Sequence, residues 1–179
     1  DPNEYHRQRV ILDGGGMYNW GSSPALTNTH LIGNSASSAG GGIYNYASSA
    51  PSLSGCNLEQ NTAVVGGGMY NDTSSPVLSG GTLSGNSANN GGGMYNSSSS
   101  PRLENVTLYL NTAVYDGGGM YNNTSSPVMI SSTIVGNIAG GYGGGMTNID
   151  SSPTLTSCTF QSNSAESGGG VFNNQSSPS

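Results

Sequence analysis

A short motif that recurs at nearly constant spacing constrains this chain more than any other feature of its sequence. Gly-Gly-Gly-Met-Tyr-Asn begins at Gly14 and returns, with small changes, at Gly40, Gly66, Gly91, Gly117, Gly143 and Gly168. Self-similarity at a period of about 25 residues marks a repeat architecture. The composition is 32% hydrophobic and 7% charged, which alone would suggest a flexible linker. Identical rungs can nevertheless stack so that each residue lies on the same residue type of the next rung, and we therefore expect a folded solenoid.

Each repeat continues with a Ser-Ser turn and a proline, and fixed columns of residues follow that proline. Apolar residues stand two and seven positions after it, and alanine stands twelve positions after it. Spacings of two place side chains on one face of a strand, whereas the odd steps between columns indicate corners. The sequence therefore predicts an all-β fold, a right-handed single-stranded parallel β-helix with three short strands in each rung of 25–26 residues.

We divide the chain into an entry segment or incomplete rung, residues 1–13, and β-helix repeats over residues 14–179. The repeats make about six complete rungs and a partial one. Because the sequence begins with Asp1 rather than methionine, we expect a processed protein or a piece of a longer one.

Two of these motifs resemble a known class of repeats. Gly41-Gly42-Ile43 and its counterparts alternate with Phe160-Gln161-Ser162-Asn163, in which leucine or isoleucine replaces Phe160 in the other rungs. This pattern resembles the repeats of polymorphic outer-membrane proteins and, more broadly, of surface proteins with pectate-lyase-like β-helices. The resemblance covers residues 14–179 and implies the right-handed β-helix fold. It implies no single function, because adhesins, enzymes and fibres share this fold.

The charge balance excludes two classes of partner. The net charge is −6, with three arginines and no lysine, so the basic footprint of a nucleic-acid-binding protein is missing. The same deficit argues against anionic membrane surfaces, and no apolar run reaches the roughly 20 residues of a membrane span.

Two columns of each rung are the strongest candidates for a structural or binding role. We expect an inward ladder of side-chain amides from the asparagines ten residues after each proline, which are Asn34, Asn61, Asn86, Asn111, Asn137 and Asn163. Methionine and tyrosine adjoin in the glycine motif, so only one of them can face inward. We place methionine inside and an outward stripe at Tyr18, Tyr44, Tyr70, Tyr95 and Tyr121. That stripe either shields the strand edges or binds sugar rings or a neighbouring fibre.

We predict neither catalytic residues nor a metal or other cofactor, because no repeat column places two acids on adjacent rungs. Cys56 and Cys158 share a column four rungs apart, so they are predicted to be free, reduced and buried. Sequons occur in two settings. The possible N-glycosylation sites lie at outward or turn positions and are Asn105, Asn123 and Asn174. The other sequon asparagines are predicted to point inward and to escape modification, and they are Asn71, Asn96 and Asn122.

From these observations we expect a non-catalytic structural module of an extracellular fibre or cell-surface protein. It would form a rigid rod that does not insert into a membrane. It would stack end to end or laterally with further rungs or with copies of itself. Two alternatives stay open: an adhesin passenger that binds carbohydrate through the tyrosine stripe, and the non-catalytic part of a polysaccharide lyase or hydrolase.

Overall fold

A computed structural model describes residues 12–179, and these residues form a parallel β-solenoid of about six turns without any helix. The predicted all-β parallel architecture is confirmed. The predicted entry segment lies outside the described residues except for Leu12 and Asp13. Since no helix occurs in residues 12–179, none is available there that could cross a membrane.

Three main sheets run along the solenoid, and each rung adds one strand to each of them. Sheet I contains Met17–Trp20, Ile43–Tyr46, Met69–Asp72, Met94–Ser97, Met120–Asn123, Met146–Ile149 and Val171–Asn174. Sheet II contains Ala25–Thr27, Ser52–Ser54, Val77–Ser79, Arg102–Glu104, Val128–Ile130 and Thr154–Thr156. Sheet III contains His30–Ile32, Asn57–Glu59, Thr82–Ser84, Thr107–Tyr109, Thr133–Val135 and Thr159–Gln161.

The register of these sheets is that of the sequence repeat. Met17 pairs with Ile43, Leu53 with Leu78, and Leu108 with Ile134, so each column of the repeat becomes a column of the solenoid. Like side chains therefore lie about 4.8 Å apart along the axis. The right-handed sense of the winding stays a prediction.

A fourth, short sheet departs from the expected three strands per rung. Sheet IV contains Ser87–Asn90, Thr112–Asp116 and Ile138–Ala139, and single parallel bridges such as Ser35 to Thr62 continue its line. Its alanines face the core, but its other residues are mostly polar or exposed. The strand signal is weak here because only small alanines are buried, while the β-branched and aromatic residues Val114, Tyr115 and Ile138 are exposed.

The core is a narrow stack of aliphatic and methionine side chains from the three main sheets. Ile43, Leu58, Leu103, Met120 and Met146 are fully buried, so the Met column faces inward. The core is less enclosed in the last rung, where Leu155, Phe160 and Val171 are only partly buried. No later rung covers them in the described structure, so their outer sides remain open.

Candidate functional site

The inward asparagines at the corner after sheet III form a continuous ladder, called here the corner ladder. It comprises Asn34, Asn61, Asn86, Asn111, Asn137 and Asn163. Each amide nitrogen Nδ2 donates to Oδ1 of the next asparagine at 2.9–3.1 Å. The backbone N–H of each asparagine except the last donates to that same oxygen at 2.9–3.0 Å.

A second donation completes the amides of the corner ladder from the second rung onward. Nδ2 of Asn86 also donates to the backbone oxygen of Leu58 in the previous rung at 2.9 Å, and Nδ2 of Asn111 does the same to Leu83. Oδ1 accepts two hydrogen bonds and Nδ2 donates two, so both ends of the amide are satisfied although Asn86 and Asn111 are fully buried. The corner ladder thus extends rung-to-rung pairing where the chain turns.

The glycine motif is the counterpart of this ladder. A Cβ atom on Gly42 would lie 3.1 Å from Nδ2 of Asn61, and one on Gly68 would lie 3.0 Å from Nδ2 of Asn86. A Cβ atom on Gly42 would also lie 2.5 Å from the backbone oxygen of Gly68 in the next rung, and this backbone contact is what leaves no room for a side chain. The close stacking of one glycine segment on the next therefore requires glycine at this position, and the asparagine amide packs against the same segment.

Sequence reasoning placed three asparagines of the Met-Tyr-Asn motif inside but missed that the whole column is a second ladder. This strand ladder lies on the inner face of sheet I and comprises Asn19, Asn45, Asn71, Asn96, Asn122, Asn148 and Asn173. Each Nδ2 donates to the next Oδ1 at 2.8 Å. The signal was present in the sequence, since asparagine occupies this position in every repeat.

The Ser-Ser turns hold a further set of rung-to-rung bonds. The backbone N–H of Ser74 donates to Oγ of Ser99 at 2.8 Å, and Ser99 donates likewise to Ser125. These first serines of the turn are buried. The second serine of each turn, such as Ser100 or Ser126, is exposed instead.

The Tyr stripe, comprising Tyr18, Tyr44, Tyr70, Tyr95 and Tyr121, lies on the outer face of sheet I. Neighbouring ring centroids are 4.8–5.2 Å apart, with interplanar angles of 7–26°. The rings therefore stack face to face along the solenoid axis. Each internal ring has both faces against its neighbours, so the stripe presents ring edges to the solvent.

Thr147 interrupts the Tyr stripe, and another tyrosine takes part in the stack beyond it. Thr147 is buried and its Oγ1 donates to the backbone oxygen of Tyr142 at 2.8 Å. The Tyr142 ring stacks on Phe172 with centroids 4.4 Å apart. An aromatic pair is thus present past the gap, although one partner comes from a different column.

Burial and nearby carboxylates make the stripe harder to ionise. Burial raises the pKa of Tyr44 far above its ordinary value, and Asp72 and Asp13 raise it further because a second negative charge is unfavourable beside them. Burial likewise raises the pKa of Tyr70, with Asp72 as the next cause. The stripe is therefore neutral throughout the physiological range.

An aromatic group beside the stripe has a different geometry. Trp20 is 68% exposed, and it meets Tyr46 edge to face with centroids 5.9 Å apart. Tyr46 also contacts Tyr44 at a tilted angle. Sequence analysis did not single out Trp20, whose signal is that it stands two residues after Tyr18 on the same face of one strand.

The remaining predicted residues do not gather into one site. Asn105 and Asn174 are exposed and Asn123 is half-buried, whereas Asn71, Asn96 and Asn122 are fully buried.

Cys56 and Cys158 are both free. Cys56 is buried, but the expectation of burial was wrong for Cys158, which is partly exposed because its rung is not covered by another. Within residues 12–179 no three histidine, cysteine or acidic residues cluster so as to hold a metal ion.

No protein-family model matches the chain, and neither a curated protein nor a solved structure matches it significantly. The resemblance to outer-membrane protein repeats therefore stays an expectation from the sequence, while the parallel β-solenoid is shown by the structure itself.

Proposed function

We propose that this chain is a non-catalytic structural module, a rigid rod within an extracellular fibre or cell-surface protein. The observation that carries the proposal is that the residues that recur in every rung form hydrogen bonds between neighbouring rungs. The corner ladder, the strand ladder and the first serines all bond one rung to the next. A residue type that recurs in every rung supports the rung itself rather than a single ligand.

Stacking with further rungs or with copies of the chain belongs to this proposal. Leu155, Phe160 and Val171 are half-buried in the last described rung, and backbone groups along the edge strand of a sheet can pair with a further strand. Another rung of the same sequence pattern would cover these side chains and pair these groups.

Hydrogen exchange and cell labelling test the rod and its location. Amides of the central rungs should exchange only through global unfolding, because both ladders join neighbouring rungs. Antibodies against the chain should label intact cells that produce it. Fast exchange throughout the central rungs would contradict a rigid rod, and labelling only after permeabilisation would contradict surface exposure. Turnover of a pectin-like polymer by the purified chain would overturn the non-catalytic assignment.

A second candidate, carbohydrate binding, is favoured by Trp20 rather than by the Tyr stripe. Sugar rings stack on the faces of aromatic side chains, and those faces are occupied within the stripe. The exposed indole of Trp20 is the better platform. If the chain is an adhesin, Trp20→Ala should abolish retention on a glycan array, while Tyr115→Ala, which alters an exposed tyrosine elsewhere, should not.

A further inference from the structure

The outer surface at the end of sheet III contains a shallow cavity of about 210 Å³, called here the Gly85 slot. It is lined by Glu59, Gln60, Ser84, Gly85, Tyr109 and Leu110. Glu59 pairs with Ser84, and Ser84 pairs with Tyr109, so the lining comes from three successive rungs. Glu59 and Gln60 form one wall, Ser84 and Gly85 the floor, and Tyr109 and Leu110 the other wall.

The slot is open because its floor carries no large side chain. A Cβ atom on Gly85 would meet only Cγ of Gln60, at 3.6 Å. Gly136 occupies the same column as Gly85 in the rung after Leu110, but the space above it is filled. A Cβ atom on Gly136 would lie 2.9 Å from Cδ2 of Leu110. The backbones of the two walls are two rungs apart, roughly 10 Å, which leaves room for one planar group between the side chains.

The two walls have complementary chemistry. The carboxylate of Glu59 forms neither an ion pair nor a hydrogen bond within residues 12–179, where the ion pair present is that of Arg102 with Glu104. Tyr109 is 44% exposed, and its Cε2 lies 3.9 Å from the position that a Cβ atom on Gly136 would take. A carboxylate and an aromatic ring that line the same cavity, beside the aliphatic Leu110, suit a cation that has an apolar stem.

We propose that the Gly85 slot binds an arginine side chain presented by a basic polypeptide partner. The planar guanidinium can donate to both oxygens of Glu59 and stack on the ring of Tyr109, while its methylene stem packs against Leu110. The net charge of −6 favours a basic partner over an acidic one. This inference concerns a different surface from both Trp20 and the ladders, and it does not depend on the proposed structural role.

Titration with N-acetyl-arginine methylamide, followed by amide chemical shifts, tests the proposal. The shifts should concentrate on the strands Asn57–Glu59, Thr82–Ser84 and Thr107–Tyr109. A single side chain offers few contacts, so the dissociation constant should lie at about 1 mM or above. Added salt should weaken binding, because Glu59 is only half-buried and salt screens its attraction for a cation.

Variants at the slot separate its parts. Glu59→Gln and Tyr109→Leu should each weaken binding about tenfold, and Ser84→Leu should abolish it by filling the floor. Glu166→Gln and Tyr115→Leu are matched controls, since they change an exposed acid and an exposed tyrosine elsewhere and should leave the affinity unchanged.

Three results would overturn the proposal: shifts spread evenly over the acidic surface, unchanged affinity in Glu59→Gln, or equal binding of methyl glucoside. The last outcome would identify a sugar site. If a variant fails to fold, two measurements on the unaltered chain still test the proposal. They are the salt dependence of binding and the relative affinities for the arginine derivative and for methyl glucoside.

Discussion

The two asparagine ladders use the same side chain in different ways. In the corner ladder, the backbone N–H of Asn61 donates to Oδ1 of Asn86, so a side chain supplies the acceptor where the backbone turns away. In the strand ladder, Asn71 and Asn96 lie within sheet I, whose backbone groups already pair with each other. The corner ladder therefore replaces missing backbone pairing, whereas the strand ladder satisfies only the amides that form it.

The largest effect is expected from breaking the corner ladder. Asn86→Ala removes the acceptor for both the backbone N–H and Nδ2 of Asn61, and it leaves these two donors buried. Each unsatisfied buried group costs about 1–3 kcal/mol, so we expect a loss of about 3–5 kcal/mol in the free energy of unfolding. Urea denaturation measures it. Asn89→Ala, at a half-buried position outside the ladders, is the control and should change stability little.

A smaller loss is expected from the strand ladder. Asn96→Ala leaves Nδ2 of Asn71 without an acceptor and removes the donor to Asn122, but it disturbs no backbone pair. We expect a loss of about 1–3 kcal/mol in the same denaturation experiment. If Asn96→Ala were as damaging as Asn86→Ala, the distinction between the two ladders would be wrong.

The outer face of sheet I offers a test that depends on charge rather than on amides. Asp72→Asn should lower the pKa of Tyr44 and Tyr70, because it removes a negative charge that raises both. Absorbance of tyrosinate during an alkaline titration measures this shift. Asp150→Asn, at an acid that is not among the causes of either shift, serves as the control. An unchanged titration in Asp72→Asn would contradict the proposed electrostatic cause.

The same raised pKa values determine how stability depends on pH. A folded pKa above the unfolded value means that the neutral ring is favoured in the folded state. The resulting contribution is complete below the unfolded pKa of about 10 and is lost as the pH rises through the folded values. The midpoint of urea unfolding should therefore fall above about pH 10, and it should fall less in Tyr70→Phe, which has no ionisable hydroxyl.

The smallest effect on the fold concerns glycosylation. In a host that glycosylates asparagine, glycans should occur at Asn105, Asn123 or Asn174, which lie on the outside or in the turn. Asn96 and Asn122 should stay unmodified because the folded strand ladder buries them. Glycopeptide mapping measures the occupancy. A glycan on Asn96 would require that its side chain faces outward, which would break the comparison between the ladders.

The sequence by itself determined the period, the parallel stacking and the direction of most columns. These follow from local rules, since alternation places Met69 and Asn71 on the face opposite Tyr70 and a fixed repeat brings like residues together. The same rules placed Asn86 and Asn111 inside and kept Cys56 and Cys158 apart.

Only the tertiary structure decided what those columns do across the rung and at its surface. The approach of Gly42 to Asn61 joins positions 19 residues apart, and the stacking angle of Tyr44 on Tyr70 decides whether ring faces or edges meet the solvent. The Gly85 slot exists because the Leu110 side chain lies against Gly136 and not against Gly85. Such features depend on distances between separate segments and on side-chain orientation, which the order of residues in one strand does not specify.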